Sequence, residues 1–180
     1  MRTTNSHPEK VRDTHKVLSI PEAFLAHYRL PFHEECETLV SIGLDMFARE
    51  QRMEPLAAAY WQEMVAAAGS DGFVLLAISA FRSFDYQRGI IERKLAAGLT
   101  LEQITRASAL PGYSEHHTGC AIDIGTPESP PLTEEFEQAP AFGWLTRRAH
   151  DFGFSMTYPR NNSFGIMFEP WHWMFHKTKI

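Results

Sequence analysis

Cysteine is scarce in this sequence: Cys36 and Cys120 are the only two among 180 residues. Two thiols make neither a disulfide framework nor a cysteine-rich zinc site. The expectation is a pair of reduced, buried thiols. Long hydrophobic runs are also missing. None approaches the roughly 20 residues that a membrane span needs, so no membrane partner is expected. Positive charge is in deficit, with 17 Lys and Arg against 22 Asp and Glu and a net charge of −5. No basic stripe appears, which argues against nucleic acid as the main partner. A secretory signal needs an apolar stretch of about 7–15 residues, whereas here polar residues run to Lys16. With Met1 as the natural start, the expected location is cytoplasmic. There is no G-x-S-x-G, phosphate-binding P-loop or G-x-G-x-x-G, so acyl-serine and nucleotide-binding readings have no support.

What is present is an ordinary globular composition, 44% hydrophobic and 22% charged, at a length that suits one domain. Residues 1–15 are polar and are expected to be a flexible lead, with residues 16–180 forming a single domain. Cys36, Leu39, Val40, Ile42, Gly43, Met46 and Phe47 fall near one helical face, which predicts a helix over residues 33–50. Pro55 opens a second helix rich in helix formers and stopped by Gly69. Phe73 to Ala80 has the length and apolarity of a buried strand. Asp85 to Ala97 is helical, closed by Gly98, and Thr100-Leu-Glu-Gln103 is a capping box opening another short helix. Pro140 to Phe152 is helical, and the last 25 residues suit short strands joined at Arg160-Asn161-Asn162. Helices first and short strands later indicate an α+β fold.

The chemistry concentrates in two segments, Ser114-Glu-His-His-Thr-Gly-Cys-Ala-Ile-Asp123 and Glu169-Pro-Trp-His-Trp173. Catalytic zinc takes three nitrogen or carboxylate ligands and leaves a position open for water. A nearby carboxylate then takes the water's proton. The two segments hold two His and an Asp for a metal, and a Glu for a proton. A turn at Thr118-Gly119 brings Asp123 back beside His116, with Gly119 supplying the backbone freedom. Pro170 breaks the strand ladder, so Glu169 and His172 can reach one cavity despite their odd spacing. Several other groups are set aside. His33-Glu34 starts a zinc-helix motif that lacks its second His and reads as a solvated helix face. His172 and His176 on a strand would lie roughly 13 Å apart, too far to share an ion. His117 should point away from His116 and serve structure.

S-x-H-x-x-G-x-A-x-D followed by E-P-W-H resembles the signature of the zinc D-alanyl-D-alanine carboxypeptidases of the vancomycin-resistance type, VanY-like. That family belongs to a wider group with lysostaphin-like peptidases and the hedgehog signalling domain. Ser79-Ala-Phe-Arg-Ser83 with Gln87 is similar to an upstream family segment, as are Gly153-Phe154, Tyr158-Pro159 and Gly165 to Phe168. The likeness covers residues 73–176. It implies a small, mostly antiparallel sheet with helices packed on it. It further implies one zinc ion per chain held by His116, Asp123 and His172. By the same likeness Glu169 is the general base, and Arg82 steadies the scissile carbonyl or the substrate's carboxylate. Gln87 and Ser114 would help hold the substrate. Thr157 departs from the pattern, standing where many relatives carry Arg.

The activity so implied is release of terminal D-alanine from peptidoglycan stem peptides or muropeptides. A cytoplasmic D,D-enzyme would destroy pentapeptide precursors, whereas recycled tetrapeptides appear in the cytoplasm. The favoured expectation is therefore an L,D-carboxypeptidase of cell-wall recycling. D,D-carboxypeptidase or dipeptidase activity, a phage-type endopeptidase and a zinc-bearing binding module are the alternatives.

Overall fold

The computed structural model describes residues 7–177. The helices are α1 (His7–Val17), α2 (Glu22–Leu25), α3 (Pro55–Ser70), α4 (Phe84–Ala96), α5 (Leu101–Thr105) and α6 (Pro140–Arg148). The strands are β1 (Val40–Leu44), β2 (Glu50–Met53), β3 (Leu76–Ser79), β4 (Ala121–Gly125), β5 (Phe154–Met156) and β6 (His172–Phe175). β1 and β2 form an antiparallel hairpin. The other four strands form one antiparallel sheet in the order β3-β4-β6-β5. This is the expected α+β architecture. No helix among the described residues is long and apolar enough to cross a membrane.

The central position of β4 explains its sequence. A strand covered on both faces cannot alternate polar and apolar residues, and β4 is buried along its whole length. Ile122 and Ile124 join the main core, which leaves Asp123 on the opposite face. α3 covers the core face. Glu54 caps it by accepting the Leu56 and Ala57 amides, and Pro55 needs no amide partner there. Ala57, Trp61, Met64 and Ala68 then line one stripe of α3 and pack in the same core as Trp144 and Leu145 of α6. The capping box at Thr100 and Gln103 forms as expected and opens α5.

The helix expected over residues 33–50 is not formed. Val40, Ile42 and Leu44 also alternate with period two, and the chain follows that period into β1. Asp45 decides the outcome. Its buried carboxylate accepts the Phe47 and Arg49 amides, the Arg49 Nε and the Gln51 Nε2 at 2.8–2.9 Å. Such side-chain-to-backbone bonds compete with helix formation. Gly43 adopts φ +94°, beside a register shift between Ser41 and Gly43. The hairpin then docks on β3, where the Gln51 side chain accepts the Ala80 amide at 2.9 Å. His33 and Glu34 accordingly lie on no helix face, and His33 is half-buried.

Two smaller expectations also change. The lead expected to be flexible is helical from His7, and Val11 and His15 of α1 are buried. His15 Nε2 lies 3.0 Å from the Pro111 carbonyl, which ties α1 to the segment before Ser114. Residues 1–6 lie outside the described residues. Cys120 is buried, whereas Cys36 is only half-buried, and both thiols are free. The turn expected at Arg160-Asn161-Asn162 does form, with Asn161 at φ +62° and the Asn162 amide donating to the Pro159 carbonyl at 3.2 Å, within a long loop over residues 157–171 that links β5 and β6.

Candidate active site

Strand pairing brings the two sequence segments together. Asp123 on β4 stands in register with His172 on β6 and with Ser79 on β3. Residues paired this way share a sheet face with their side chains adjacent. His116 reaches the same point from the 3-10 turn Glu115–Thr118. That turn ends at Gly119, φ +69°, where a side-chain carbon would also come within 2.9 Å of the Glu54 amide nitrogen. The close approach makes glycine necessary twice over, because the Gly119 carbonyl accepts the Glu54 amide at 2.9 Å. Three bonds lace the turn to the segment after β3. His116 Nδ1 lies 2.6 Å from the Ala80 carbonyl, His117 Nδ1 2.7 Å from the Arg82 carbonyl, and the Arg82 amide donates to the His116 carbonyl at 3.2 Å. His117 thus points away from the centre and serves structure, accepting the Gly112 amide on Nε2 at 3.1 Å.

His116, Asp123 and His172 are buried, and their donor atoms lie within 4.8 Å of one another. Their chemistry fits a metal ion. Donation of the Nδ1 proton to Ala80 leaves His116 Nε2 with a bare lone pair, and this atom is buried without a hydrogen-bond partner. It faces Asp123 Oδ1 at 3.3 Å, so two electron-rich atoms confront each other across the space a cation would fill. His172 Nδ1 faces the same oxygen at 3.1 Å. Its Nε2 is 2.8 Å from Glu115 Oε2, and Thr157 Oγ1 donates to that same oxygen at 2.8 Å. A carboxylate on the far nitrogen orients a ligating His and raises its basicity.

Electrostatics match this arrangement. Burial, and then the Arg82 charge, push the His116 pKa down and keep the imidazole neutral. Burial alone would push Asp123 up, but His116, His172 and Arg82 outweigh it and hold the carboxylate well below its ordinary range. Burial disfavours charge on His172, but hydrogen bonds to Asp123 and Glu115 outweigh it and raise the pKa. Glu169 behaves differently. It is 9% exposed and, chiefly through burial, its pKa is pushed up to about 7.

These groups line one cavity of about 320 Å³ together with Arg82, Gln87, Ser114 and Lys94. Every site residue expected from the sequence therefore meets there. Glu169 and His172 both reach it past Pro170, as the break at that proline suggested despite their odd spacing. Arg82 Nη2 stands 3.8 Å from Asp123 Oδ2, and its buried Nε has no partner. Gln87 donates from Nε2 to the Ala109 carbonyl at 2.6 Å, leaving a buried Oε1 unpaired. Trp171 lines the cavity and Trp173 packs in the core, donating its indole N–H to the Pro170 carbonyl at 3.0 Å. His176 is exposed and lies 2.8 Å from the Ser155 hydroxyl.

The model of the VanY family, D-alanyl-D-alanine carboxypeptidase, matches residues 50–178. The chain belongs to that family. Bacillus subtilis YodJ, named as a carboxypeptidase, is 33% identical over 170 residues, 84% of this chain and 59% of YodJ. This chain thus spans little more than half the length of that relative. Among solved structures, the LdcB LD-carboxypeptidase is 30% identical with a TM-score of 0.71, covering 81% of this chain and 71% of LdcB. A glutamate-to-alanine variant of the VanY D,D-pentapeptidase from a VanB-type resistance cassette, in complex with Zn(II), is 26% identical with a TM-score of 0.57. The match covers 83% of this chain and 80% of that one.

Two residues of this VanY-family site were not among the expected ones. Glu115 lies between the motif's Ser114 and His116, and only its contact with His172 shows its place. Lys94 sits at heptad distance from Gln87 on α4, on the same stripe, and that spacing was the available signal.

Proposed function

We propose that the chain is a zinc-dependent carboxypeptidase that releases terminal D-alanine from peptidoglycan stem peptides, cutting tetrapeptides at the L,D bond. One observation carries the reading. The buried His116–Asp123–His172 trio shares a small cavity with a carboxylate, Glu169, that none of the described residues neutralises by an ion pair. The Zn(II) complex of the related VanY structure supports zinc as the ion, and the likeness to LdcB supports L,D cleavage.

His116, Asp123 and His172 would hold zinc, one ion per chain, and Glu115 would fix the orientation of His172. Bound zinc supplies Lewis-acid polarisation and a water acidified to a pKa of about 7. Glu169 would take a proton from the attacking water as its oxygen bonds to the scissile carbonyl carbon. In the metal-free chain burial raises its pKa, which favours the uptake of a proton there. Glu169 then delivers the proton to the leaving amine of D-alanine. Arg82 offers its unpaired Nε–H to the oxygen that becomes negative as the carbonyl turns tetrahedral. Gln87 Oε1 accepts a substrate N–H, and Ser114 stands by the same end of the cavity.

The family's D-Ala-D-Ala members favour a second reading, D,D cleavage of pentapeptides. Both are tested by mass spectrometry of an equimolar tetrapeptide and pentapeptide mixture, with and without chelator. Chelator-sensitive loss of D-alanine from the tetrapeptide alone is expected. Loss from the pentapeptide alone establishes the D,D reading, and no cleavage of either contradicts both.

A further inference from the structure

The wall of the cavity facing the metal trio carries a cation that the metal chemistry does not use. Lys94 projects from α4 into the cavity that Glu169, Asp123 and His116 also line. Its ammonium is held in place: Nζ donates to Ser108 Oγ at 2.6 Å, and Ser108 Oγ passes its own proton to the Ala107 carbonyl at 2.7 Å. That chain uses one of three N–H donors and neutralises no charge. Among the described residues no carboxylate forms an ion pair with Lys94, although its neighbours on α4, Arg88 and Glu92, pair with each other at 3.4 Å. Lys94 is half-buried. Its pKa is lowered by burial and then by the Arg82 charge, with Glu169 acting in the opposite sense. Two cations, Lys94 and Arg82, thus border one small cavity, and the buried Arg82 Nε also lacks a partner.

We infer that Lys94, fixed by Ser108, is a carboxylate-binding subsite that helps select the substrate. A peptide bound across the cavity places its scissile carbonyl at the metal trio and a carboxylate at Lys94. Two carboxylates are chemically available: the terminal one of D-alanine, and a side-chain one on the residue before it. The inference rests on the carboxypeptidase reading for the identity of the ligand only. Lys94 acts on binding and specificity, so its loss weakens the binding of a carboxylate-bearing peptide.

Four acetylated peptides separate the two sources. Each ends in D-alanine as a free carboxylate or a carboxamide, preceded by L-lysine or by meso-diaminopimelate, whose side chain ends in a carboxylate. Affinities are measured by calorimetry on zinc-loaded protein in a Glu169→Gln background, with Lys94 intact or changed to Met. A second substitution, Lys94→Gln, repeats the comparison with a neutral polar side chain. Removal of a charge-assisted hydrogen bond is expected to weaken the carboxylate-bearing peptide about 10-fold or more. The matched peptide without that carboxylate should change less than about 2-fold, within the effect of a neutral contact. If the loss follows the terminal group, the subsite takes the terminal carboxylate. If it follows the side chain, the subsite takes that one. Equal effects on all four peptides, or none, overturn the inference, whether or not the wild-type chain turns any of them over. Carboxylate selection that depends on Lys94 in a chain without turnover would keep the subsite and break the carboxypeptidase reading instead.

Discussion

The two walls of the cavity are built on opposite rules. On the sheet wall, polar groups answer one another: His116 to Ala80, His172 to Glu115, and Glu115 to Thr157. What remains there is a small set of lone pairs converging on one point. On the facing wall, formed by α4 and by Arg82 just before it, groups are left open: Gln87 Oε1, Arg82 Nε and the spare donors of Lys94. Buried polar atoms without partners are costly. Under the proposed function, a bound substrate would supply partners to these atoms. In the proposed function, the first wall would hold the metal and the second would contact the substrate.

The comparison can be broken from either side. A large effect on catalysis is expected at Arg82, which borders both walls. Arg82→Ala should lower kcat/KM for D-alanine release by about 10²–10³, the loss typical of a missing oxyanion donor. An unchanged rate removes Arg82 from the site. On the sheet wall, Glu169 makes stability depend on pH in chelated protein. Its pKa is raised from an ordinary 4.5 to about 7 by burial, so the folded state holds the proton more tightly. Both states are protonated below the unfolded pKa and both are ionised above the folded one. Stability should therefore fall as pH rises through this window, by about 3 kcal/mol. Denaturant titrations across pH should show Glu169→Gln with a flatter profile, and identical profiles contradict the buried carboxylate. A smaller effect is expected at Glu115. Glu115→Gln should weaken zinc affinity about 10–100-fold in competition with a chelator, as loss of a ligand's outer partner does. Unchanged affinity would make the contact with His172 incidental.

The sheet wall was legible in the sequence because its chemistry sits in two short segments whose geometry is local. Gly119 turns the chain, Pro170 breaks the ladder, and the strand register does the rest. The α4 wall was legible only in part. Gln87 and Arg82 came from the family likeness, but Lys94 follows Gln87 only through helical periodicity, and a charged residue on a helix ordinarily faces water. Glu115 escaped because its partner is 57 positions away in the chain. The β1–β2 hairpin escaped because residues 33–50 satisfy helical and alternating patterns together. The choice is made by the Asp45 carboxylate, whose hydrogen bonds a periodicity count does not see. The docking of α1 likewise depends on His15 meeting Pro111, far off in sequence.

The most direct test of the whole account is to measure zinc content and D-alanine release on the same samples of Glu169→Gln. The account predicts one zinc per chain, as in the wild type, with release slowed by about 10²–10⁴, the span expected for a lost general base. Release at the wild-type rate with zinc still bound would contradict it, because the carboxylate proposed to carry the proton would then carry nothing.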